Sequence, residues 1–335
     1  MDTYSQLDIY PACIVRNIRM IMGRMQKEKN LQQLFDDYVK ECQFSSRLSS
    51  ETVRGYTEVF NLFITTMPEI SDSKSLTTEM LTEFFKRLQT RARKIGINTI
   101  KIGVKSSTIK TYWSKLNCFF EWLVRKALIL ENPLKGIKPP EQEYEYQRAL
   151  GDDDVRKLYS AVTLHSHNAL ILRRDTAMIS LLLFCGLRLG EFISLEVKDI
   201  DFYKQLLTVR GVTSKSHKTR YIPMHPTLIF HLRDYIDERN RRKYTAFNLI
   251  VSTTSDKCLS RHGLKNWVKG LSKKSGVKFH LHSLRHSFAC NLAKKDVNAI
   301  KIQKLLGHSS LDMTMTYLRS IEAENLQNEI NRLSI

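Results

Sequence analysis

The segment that decides the fold of this chain reads F-H-L-H-S-L-R-H-S-F at residues 279–288. Its His282 and Arg285 stand three positions apart, so both side chains share one face if a helix begins here. A further histidine, His308, and a tyrosine, Tyr317, follow downstream. Together these residue types could serve one anionic centre.

Two upstream motifs offer further basic residues. Residues 185–191 read C-G-L-R-L-G-E, where a glycine breaks an apolar helix and directs Arg188 out of the core, with Glu191 three positions on. Residues 213–220 read T-S-K-S-H-K-T-R, where small residues flank Lys215 at the tip of a possible hairpin. Alone, the first motif is typical of a buried ion pair and the second of an ordinary basic turn.

The histidines of the opening segment also suggest a metal site, since His280, His282 and His286 form a small cluster. No carboxylate or cysteine stands at ligand spacing, however, and the neighbouring arginines would repel a cation. We therefore expect no metal and no cofactor. His282 then pairs with Arg285, His286 is expected to be structural, and the role of His280 stays open.

Composition indicates a nucleic-acid partner. The chain has 335 residues, enough for two domains, and its 53 Lys+Arg against 34 Asp+Glu give a formal net charge of +19. Such an excess is the electrostatic signature of a protein that binds a polyanion. Six scattered cysteines without a CxxC spacing indicate a reducing compartment, and the longest apolar run, residues 177–187, is too short to span a bilayer. We expect a cytoplasmic protein that binds nucleic acid and no membrane.

The first part of the chain is predicted to be helical. After a basic leader at residues 1–28, apolar residues at helical spacing predict four helices within residues 29–134. Thr77 is predicted to cap the third helix and Ser107 the fourth. The glycine-punctuated piece at residues 95–104 alternates loosely, and both a hairpin and a loop stay open for it.

A second domain is predicted at residues 149–318, after a linker at residues 135–148 that contains glycine, two prolines and no apolar period. Its predicted helices are residues 174–187, 227–243, 264–272, 283–294 and 299–306, and its predicted strands are residues 200–212 and 220–224. The fold class is therefore mainly α with a small antiparallel β-sheet (α+β). Residues 319–335 are predicted to form a tail helix.

Several basic residues outside the four motifs suit phosphate contacts, which position a protein on a duplex without reading its sequence. The predicted DNA contacts are Lys101, Lys105, Lys110 and Lys115 in the first domain and Lys218 and Arg220 in the second. Each lysine taken alone is more typical of ordinary solvated surface than of a DNA contact.

In order, spacing and context, the four motifs together resemble the tyrosine recombinase (phage integrase) family, which includes the Xer recombinases. The resemblance covers about residues 31–317 and is specific in the second domain, but only architectural in the first. It implies a four-helix core-binding domain followed by a catalytic domain. The catalytic residues that it implies are Arg188, Lys215, His282, Arg285, His308 and Tyr317, with Glu191 as the acidic neighbour of Arg188.

The resemblance also implies a reaction that needs neither ATP nor metal. Tyr317 would attack a DNA phosphodiester and form a 3′-phosphotyrosyl link, while two guanidiniums, Arg188 and Arg285, clamp the non-bridging oxygens. Tyrosine is a weak nucleophile at neutral pH and needs activation. His282 is the candidate base, Lys215 the candidate acid for the departing 5′ oxygen, and His308 a hydrogen-bond donor to the phosphate.

The tail and the biological task leave alternatives open. The tail places Leu326, Ile330 and Leu333 on one face, which suits either folding back on its own domain or docking on a neighbouring protomer. The resemblance favours docking and a homotetramer on paired DNA sites. Integration, excision and dimer resolution are not distinguished. Two other functions stay in view: a DNA-relaxing enzyme of the type IB topoisomerase kind and a catalytically silent DNA-binding protein.

Overall fold

The structure is a computed structural model that describes residues 29–95, 99–141, 149–214 and 217–318. The predicted leader at residues 1–28, the tail at residues 319–335 and Lys215 lie outside these described residues. The chain divides into two compact units, Met1–Tyr144 and Glu145–Ile335. Within the described ranges, no helix is both long and apolar enough to cross a bilayer.

The described part of the first unit is built from four helices. They are α1 (Leu31–Lys40, extended by a π-helical turn at Glu41–Ser45), α2 (Ser50–Thr66), α3 (Thr78–Thr90) and α4 (Ser106–Arg125). Thr77 caps α3 as predicted, because its side chain accepts the backbone N–H of Met80. The predicted cap at Ser107 is wrong: Lys105 occupies the N-cap position, without a side-chain bond, and Ser107 lies in the first turn.

Aromatic side chains fill the centre of the first unit. The rings of Phe35 and Phe60 stack with their centroids 3.8 Å apart, and Phe119 meets each of them edge-on. Offset and edge-to-face pairs add to the free energy gained from burial alone. Residues at the start of the predicted linker belong to this unit, since Trp113 Nε1 donates to the carbonyl of Ile137 at 2.9 Å.

The piece between α3 and α4 forms a β-hairpin, one of the two alternatives that the sequence left open. Strand β1 (Ala92–Ile95) pairs antiparallel with β2 (Thr99–Ile102), and Arg93 lies opposite Lys101. At the open end of the hairpin, the N–H of Gly103 donates to the carbonyl of Arg91 at 2.9 Å and extends the pairing by one bond. The hairpin therefore presents basic side chains from both strands.

The described part of the second unit contains eight α-helices and two short 3-10 helices, Val197–Asp199 and Gly211–Thr213. The α-helices are α5 (Asp152–His165), α6 (Ala169–Cys185), α7 (Leu189–Ser194), α8 (Pro226–Arg241), α9 (Arg261–Ser275), α10 (Leu281–Ala293), α11 (Ala299–Leu306) and α12 (Leu311–Leu318). Helix α6 is central, because it packs against α5, α8 and α10 and is apolar almost all round. The fold class, mainly α with small antiparallel sheets, is confirmed.

A three-stranded antiparallel sheet completes the second unit, with β3 (Ile200–Asp201), β4 (Leu206–Val209) and β5 (Arg220–Pro223) in that order. The prediction of one strand over residues 200–212 is wrong. The carboxylate of Asp201 accepts the backbone N–H groups of Tyr203 and Lys204, and this turn splits the run into two short strands.

Helix α6 ends at Gly186, which adopts a left-handed conformation with φ of +55°. A Cβ at this position would come within 2.4 Å of the ring of Phe288 on α10 and 3.0 Å of Leu306 on α11. Glycine is therefore required both for the backbone angle and for the close packing of three helix ends. This junction fixes where the segment that carries Arg188 begins.

We expect Gly186→Ala to lower the free energy of unfolding by roughly 2–5 kcal/mol, because left-handed strain and overpacking add. Chemical denaturation followed by circular dichroism measures the change. The matched control is Gly270→Ala, a helical glycine whose added Cβ meets nothing within 4 Å. That change is expected to stabilise by up to about 1 kcal/mol. Equal effects at the two positions would contradict the packing argument.

Candidate active site

The site is built on the carboxyl end of helix α11. Gly307 ends the helix in the left-handed conformation, with φ of +65°, so the last carbonyl groups have no helical N–H partner. Three arginines donate to three successive carbonyls here. The pairs are Arg220 Nε to Leu305 O (2.8 Å), Arg285 Nη2 to Leu306 O (2.8 Å) and Arg188 Nη2 to Gly307 O (3.0 Å). Cations are stabilised at this end of a helix by its dipole.

One buried carboxylate joins two of these arginines. Glu191, which is 1% exposed, accepts two hydrogen bonds from the guanidinium of Arg220, at 2.9 and 2.8 Å. It also accepts the side chain of Arg188 at 3.0 Å and the backbone N–H of Arg188 at 2.9 Å. Three guanidiniums and one carboxylate leave two formal positive charges in the cluster.

The ionisation of Glu191 is secured by these partners. Burial alone would raise the pKa of its carboxyl. The hydrogen bonds and charge of Arg220, followed by the backbone N–H and charge of Arg188, outweigh that effect and lower the pKa to about 2. The carboxylate therefore stays charged over the whole physiological pH range.

Arg285 is held from two sides. Its side chain is 2% exposed, and besides the Leu306 carbonyl it donates to the carbonyl of Gly186, the residue that ends α6. The guanidinium thus ties together the ends of α6 and α11. Because both acceptors are backbone atoms of helix termini, the direction of this arginine is fixed by the fold itself.

His308 follows directly after Gly307 and is almost fully buried. Its Nδ1 lies 2.8 Å from the hydroxyl oxygen of Thr314 on α12. Burial, followed by the positive charges of Arg285 and Arg188, lowers the pKa of His308 to about 3. The imidazole is therefore neutral at physiological pH, and Thr314 fixes its orientation.

His282 lies in the first turn of α10 with an exposed side chain. Desolvation, and then the charge of Arg285, lowers the pKa of His282, so this imidazole is also neutral near pH 7. His280, whose role the sequence left open, is the N-cap of α10, and its Nδ1 accepts the backbone N–H of Ser283. His286 is buried beside Cys290. In the residues that the structure describes, no cluster of three or more metal-ligating side chains occurs.

Several side chains of the cluster line a common cleft of about 880 Å³. The charged and polar residues of its lining are Arg188, Lys265, His280, His282, Arg285, His308 and Ser309. The structure thus brings together four of the predicted catalytic residues. Lys265 was missed, because one exposed lysine on a basic helix carries no distinguishing pattern.

Tyr317 lies on α12, one turn after Thr314, which contacts His308. Its side chain is outside the described residues, and so is the whole of Lys215. The backbone of α12 packs against α10 and α11, the helices that carry His282 and the arginine-binding carbonyls. The helix that bears the tyrosine is therefore attached to the cluster.

The predicted DNA contacts differ in their surroundings. Lys101, Lys105 and Lys218 are exposed and Lys110 is half-buried, whereas Lys115 Nζ donates to the carbonyl of Gly55 at 3.1 Å. Arg220 is the exception that needs correction. Its side chain is 8% exposed and is bonded to Glu191 and Leu305, so it faces the interior and not a solvent-side phosphate.

Comparison with known proteins places this arrangement in context. The sequence model of the phage integrase family matches residues 148–324. A tyrosine recombinase of Thermosipho africanus is 31% identical over 294 residues, which cover 87% of this chain and 95% of that protein. Tyrosine recombinase XerC of Alcanivorax borkumensis is 32% identical over 228 residues, which cover 67% of this chain and 73% of that protein.

Among solved structures, the integrase of the Tn1549 transposon in complex with a circular intermediate DNA has a similar fold. The TM-score is 0.72 with 19% sequence identity, and the match covers 90% of this chain and 98% of that chain. At this identity the similarity concerns the fold. It confirms an α+β architecture of the kind described above.

The depressed pKa of His308 makes stability depend on pH. A histidine in the unfolded chain has a pKa near 6.5. Below that pH His308 is protonated in the unfolded chain, but it stays neutral in the folded protein. Stability from this group is therefore complete above pH 6.5 and is lost as the pH falls towards the folded pKa of about 3. We expect a loss of roughly 2 kcal/mol between pH 6.5 and pH 5 from His308.

Denaturant unfolding at pH 7.5 and pH 5 measures this loss. His308→Gln is expected to reduce the difference between the two pH values, whereas the control His167→Gln, at an exposed position outside the cluster, keeps it. An unchanged pH dependence in His308→Gln would contradict the neutral, buried imidazole. Glu191 is an acidic group whose pKa is also lowered in the folded protein. Its contribution to stability is lost only in stronger acid, as the pH falls from about 4.5 towards 2.

Proposed function

Because the chain belongs to the phage integrase family of tyrosine recombinases, we propose that the cleft around Arg188 and Arg285 holds the scissile phosphate of a double-stranded DNA site. The enzyme is a tyrosine site-specific recombinase. The observation that carries the assignment of the site is the convergence of two arginines and two neutral histidines on one cleft, next to the helix that bears Tyr317.

The arginines bind and stabilise the phosphate. An attack on a phosphodiester builds negative charge on the non-bridging oxygens, and guanidiniums bind such oxygens in pairs of parallel hydrogen bonds. A guanidinium has five N–H donors, and the internal bonds of Arg188 to Glu191, Leu306 and Gly307 use three of them. Preorganised donors of this kind commonly supply the largest catalytic term.

The proton transfers follow from the charges of the remaining residues. The Tyr317 oxygen forms a bond to phosphorus as its proton passes to the neutral imidazole of His282. The bond from phosphorus to the 5′ oxygen breaks, and Lys215 supplies the proton that this oxygen needs. A 3′-phosphotyrosyl link and a free 5′ hydroxyl result. Attack by the 5′ hydroxyl of a partner strand then reverses both steps.

His308 is assigned as a hydrogen-bond donor to the phosphate. If the Thr314 hydroxyl donates to Nδ1, the single proton of the neutral imidazole lies on Nε2, which is then able to donate. In that arrangement the tautomer of His308 is set by a side chain of α12, the helix that carries Tyr317. The position of α12 and the ability of His308 to donate a hydrogen bond from Nε2 are thereby coupled.

Exposed lysines supply the contacts that bring the duplex to this cleft. We assign the exposed Lys101, Lys105 and Lys218 and the half-buried Lys110 to phosphate contacts, on the strength of their charge. The run from residue 84 to residue 120 has no acidic residue, so that the α3 end, the hairpin and α4 form one basic stretch. Contacts of this kind make the affinity fall steeply with salt.

Strand exchange sets the expected assembly. Each tyrosine forms one covalent bond, and exchange between two duplexes breaks four strands, so that four protomers suit the reaction. We therefore infer a homotetramer on paired sites, acting in integration, excision or dimer resolution in the cytoplasm that contains the DNA. The tail at residues 319–335 is the segment assigned to join protomers in a closed ring.

Tyr317→Phe is expected to abolish covalent attachment, because the variant lacks the attacking oxygen, while DNA binding stays unchanged. A nicked suicide substrate that traps the phosphotyrosyl link, run on a denaturing gel, measures attachment. The control is Tyr203→Phe, an exposed tyrosine of the same unit. Full attachment by Tyr317→Phe would refute the assigned nucleophile, and strand exchange between two sites separates recombination from simple relaxation.

Removal of the tail is expected to preserve binding to one site and to abolish the paired-site complex, because the contact between protomers is lost. Truncation after Leu318 and the triple change of Leu326, Ile330 and Leu333 to Asp test this by native gel mobility and sedimentation. The matched control changes Glu322, Glu324 and Glu329, elsewhere on the same segment, to Gln. Unaltered assembly of the truncated protein would contradict the proposed role.

A further inference from the structure

Arg220 is a buried arginine whose hydrogen bonds, among the residues that the structure describes, are made inside the second unit. Its Nη1 and Nη2 donate to the two carboxylate oxygens of Glu191 at 2.9 and 2.8 Å, and its Nε donates to the carbonyl of Leu305 at 2.8 Å. Only 8% of the residue is exposed. Such a bidentate pair fixes the direction of the carboxylate as well as its charge.

The orientation of Glu191 in turn determines the orientation of Arg188. The same carboxylate accepts the guanidinium of Arg188 at 3.0 Å and its backbone N–H at 2.9 Å, so the orientation of Arg188 depends on the orientation of Glu191. The carboxylate of Glu191 also accepts the Ser214 hydroxyl at 3.3 Å. Removal of Arg220 would therefore leave the carboxylate with Arg188 as its only cationic partner among the residues described.

Arg220 also lies against the turn that carries His308. Its side chain packs on Gly307 so closely that a Cβ added there would stand 3.0 Å from Nη1 and 3.1 Å from Cδ. The carbonyl of Leu305, which Arg220 binds, precedes the two carbonyls that hold Arg285 and Arg188. One side chain thus touches both the support of Arg188 and the end of α11.

We propose that Arg220 is a positioning residue of the recombination site: it holds Glu191, and through Glu191 it aligns Arg188 on the scissile phosphate without touching DNA. This inference rests on the proposed function, since it assumes that Arg188 binds that phosphate. It also explains why a basic residue that resembles a surface DNA contact in the sequence is directed into the protein.

The test separates DNA binding from cleavage. For wild type, Arg220→Met and Arg220→Lys, the Kd for a single DNA site is measured by fluorescence anisotropy, and the single-turnover cleavage rate on a suicide substrate is measured with saturating protein. Arg220→Met is expected to keep the Kd within about 3-fold and to slow cleavage about 10- to 100-fold, the range typical of groups that orient a functional side chain. Arg220→Lys, which keeps the charge but loses the fork, is expected to cleave faster than Arg220→Met.

Arg174→Met is the matched control. Arg174 is as deeply buried, at 4% exposed, and binds a carboxylate oxygen of Asp175 at 2.8 and 2.6 Å and the carbonyl of Val251 at 3.3 Å. It therefore has the same kind of contacts as Arg220 without any contact to the cluster. The control is expected to lower the melting temperature and to leave the cleavage rate of the folded protein within about 3-fold of wild type, the usual behaviour of a change that acts on stability alone.

A double-mutant cycle covers the case in which Arg220→Met does not fold, because removing one partner of a buried ion pair is far costlier than replacing both. The double variant Glu191→Gln/Arg220→Met is expected to cleave at the rate of Glu191→Gln alone, since Arg220 acts through Glu191. Three results would each overturn the inference: wild-type cleavage by folded Arg220→Met, a loss equal to that of Arg174→Met, or a double variant much slower than Glu191→Gln. If wild type forms no covalent complex, the proposed function fails and this inference falls with it, whereas each of the three results above overturns the inference and leaves the proposed function intact.

Discussion

The second unit depends on the binding of three arginines to one helix end and one carboxylate. Without DNA, guanidiniums gathered in a small volume repel one another, and this repulsion is strongest in a poorly solvated interior. The carboxylate of Glu191 offsets part of it, and the carbonyls of Leu305, Leu306 and Gly307 supply partial negative charge at the end of α11. Under the proposed function, a DNA phosphate neutralises the remaining positive charge, and the site is organised before that substrate arrives.

Glycines make that gathering possible. The three arginines come from the start of α7, from β5 and from α10, and these elements meet only because α6 and α11 stop abruptly. Gly186 and Gly307 both adopt the left-handed conformation, and neither position has room for a Cβ without displacing a neighbour. The backbone atoms freed at these two ends are the acceptors of Arg188 and Arg285. The turns that stop the helices therefore also build the charge cluster.

The sequence predicts most of the helices and strands around the site, but not all of the side-chain contacts between them. Periodic apolar residues and Gly186 predict α6 and its end, because secondary structure and caps are local properties. The single strand over residues 200–212 failed, since the side chain of Asp201 closes a turn that hydrophobicity does not reveal. The sequence predicts Arg220 as a DNA contact, because basic residues within one run cannot be distinguished by pattern. Its burial depends on a carboxylate 29 positions away, and Thr314 likewise carries no signal apart from its contact with His308.

The arginine cluster also decides how the histidines work. A catalytic histidine is often oriented by a carboxylate, which raises its pKa. Here His308 is buried and His282 is partly desolvated, and the positive charges of Arg285 and Arg188 lie near both, so that the pKa of each imidazole is lowered and both are neutral. A neutral His282 is able to accept a proton, but the same positive charge weakens it as a base. A DNA phosphate bound between the arginines would cancel much of that charge and raise both pKa values. Under the proposed function, the base therefore gains strength when the substrate occupies the site, so that the arrangement favours activation of Tyr317 on bound DNA over activation in the empty enzyme.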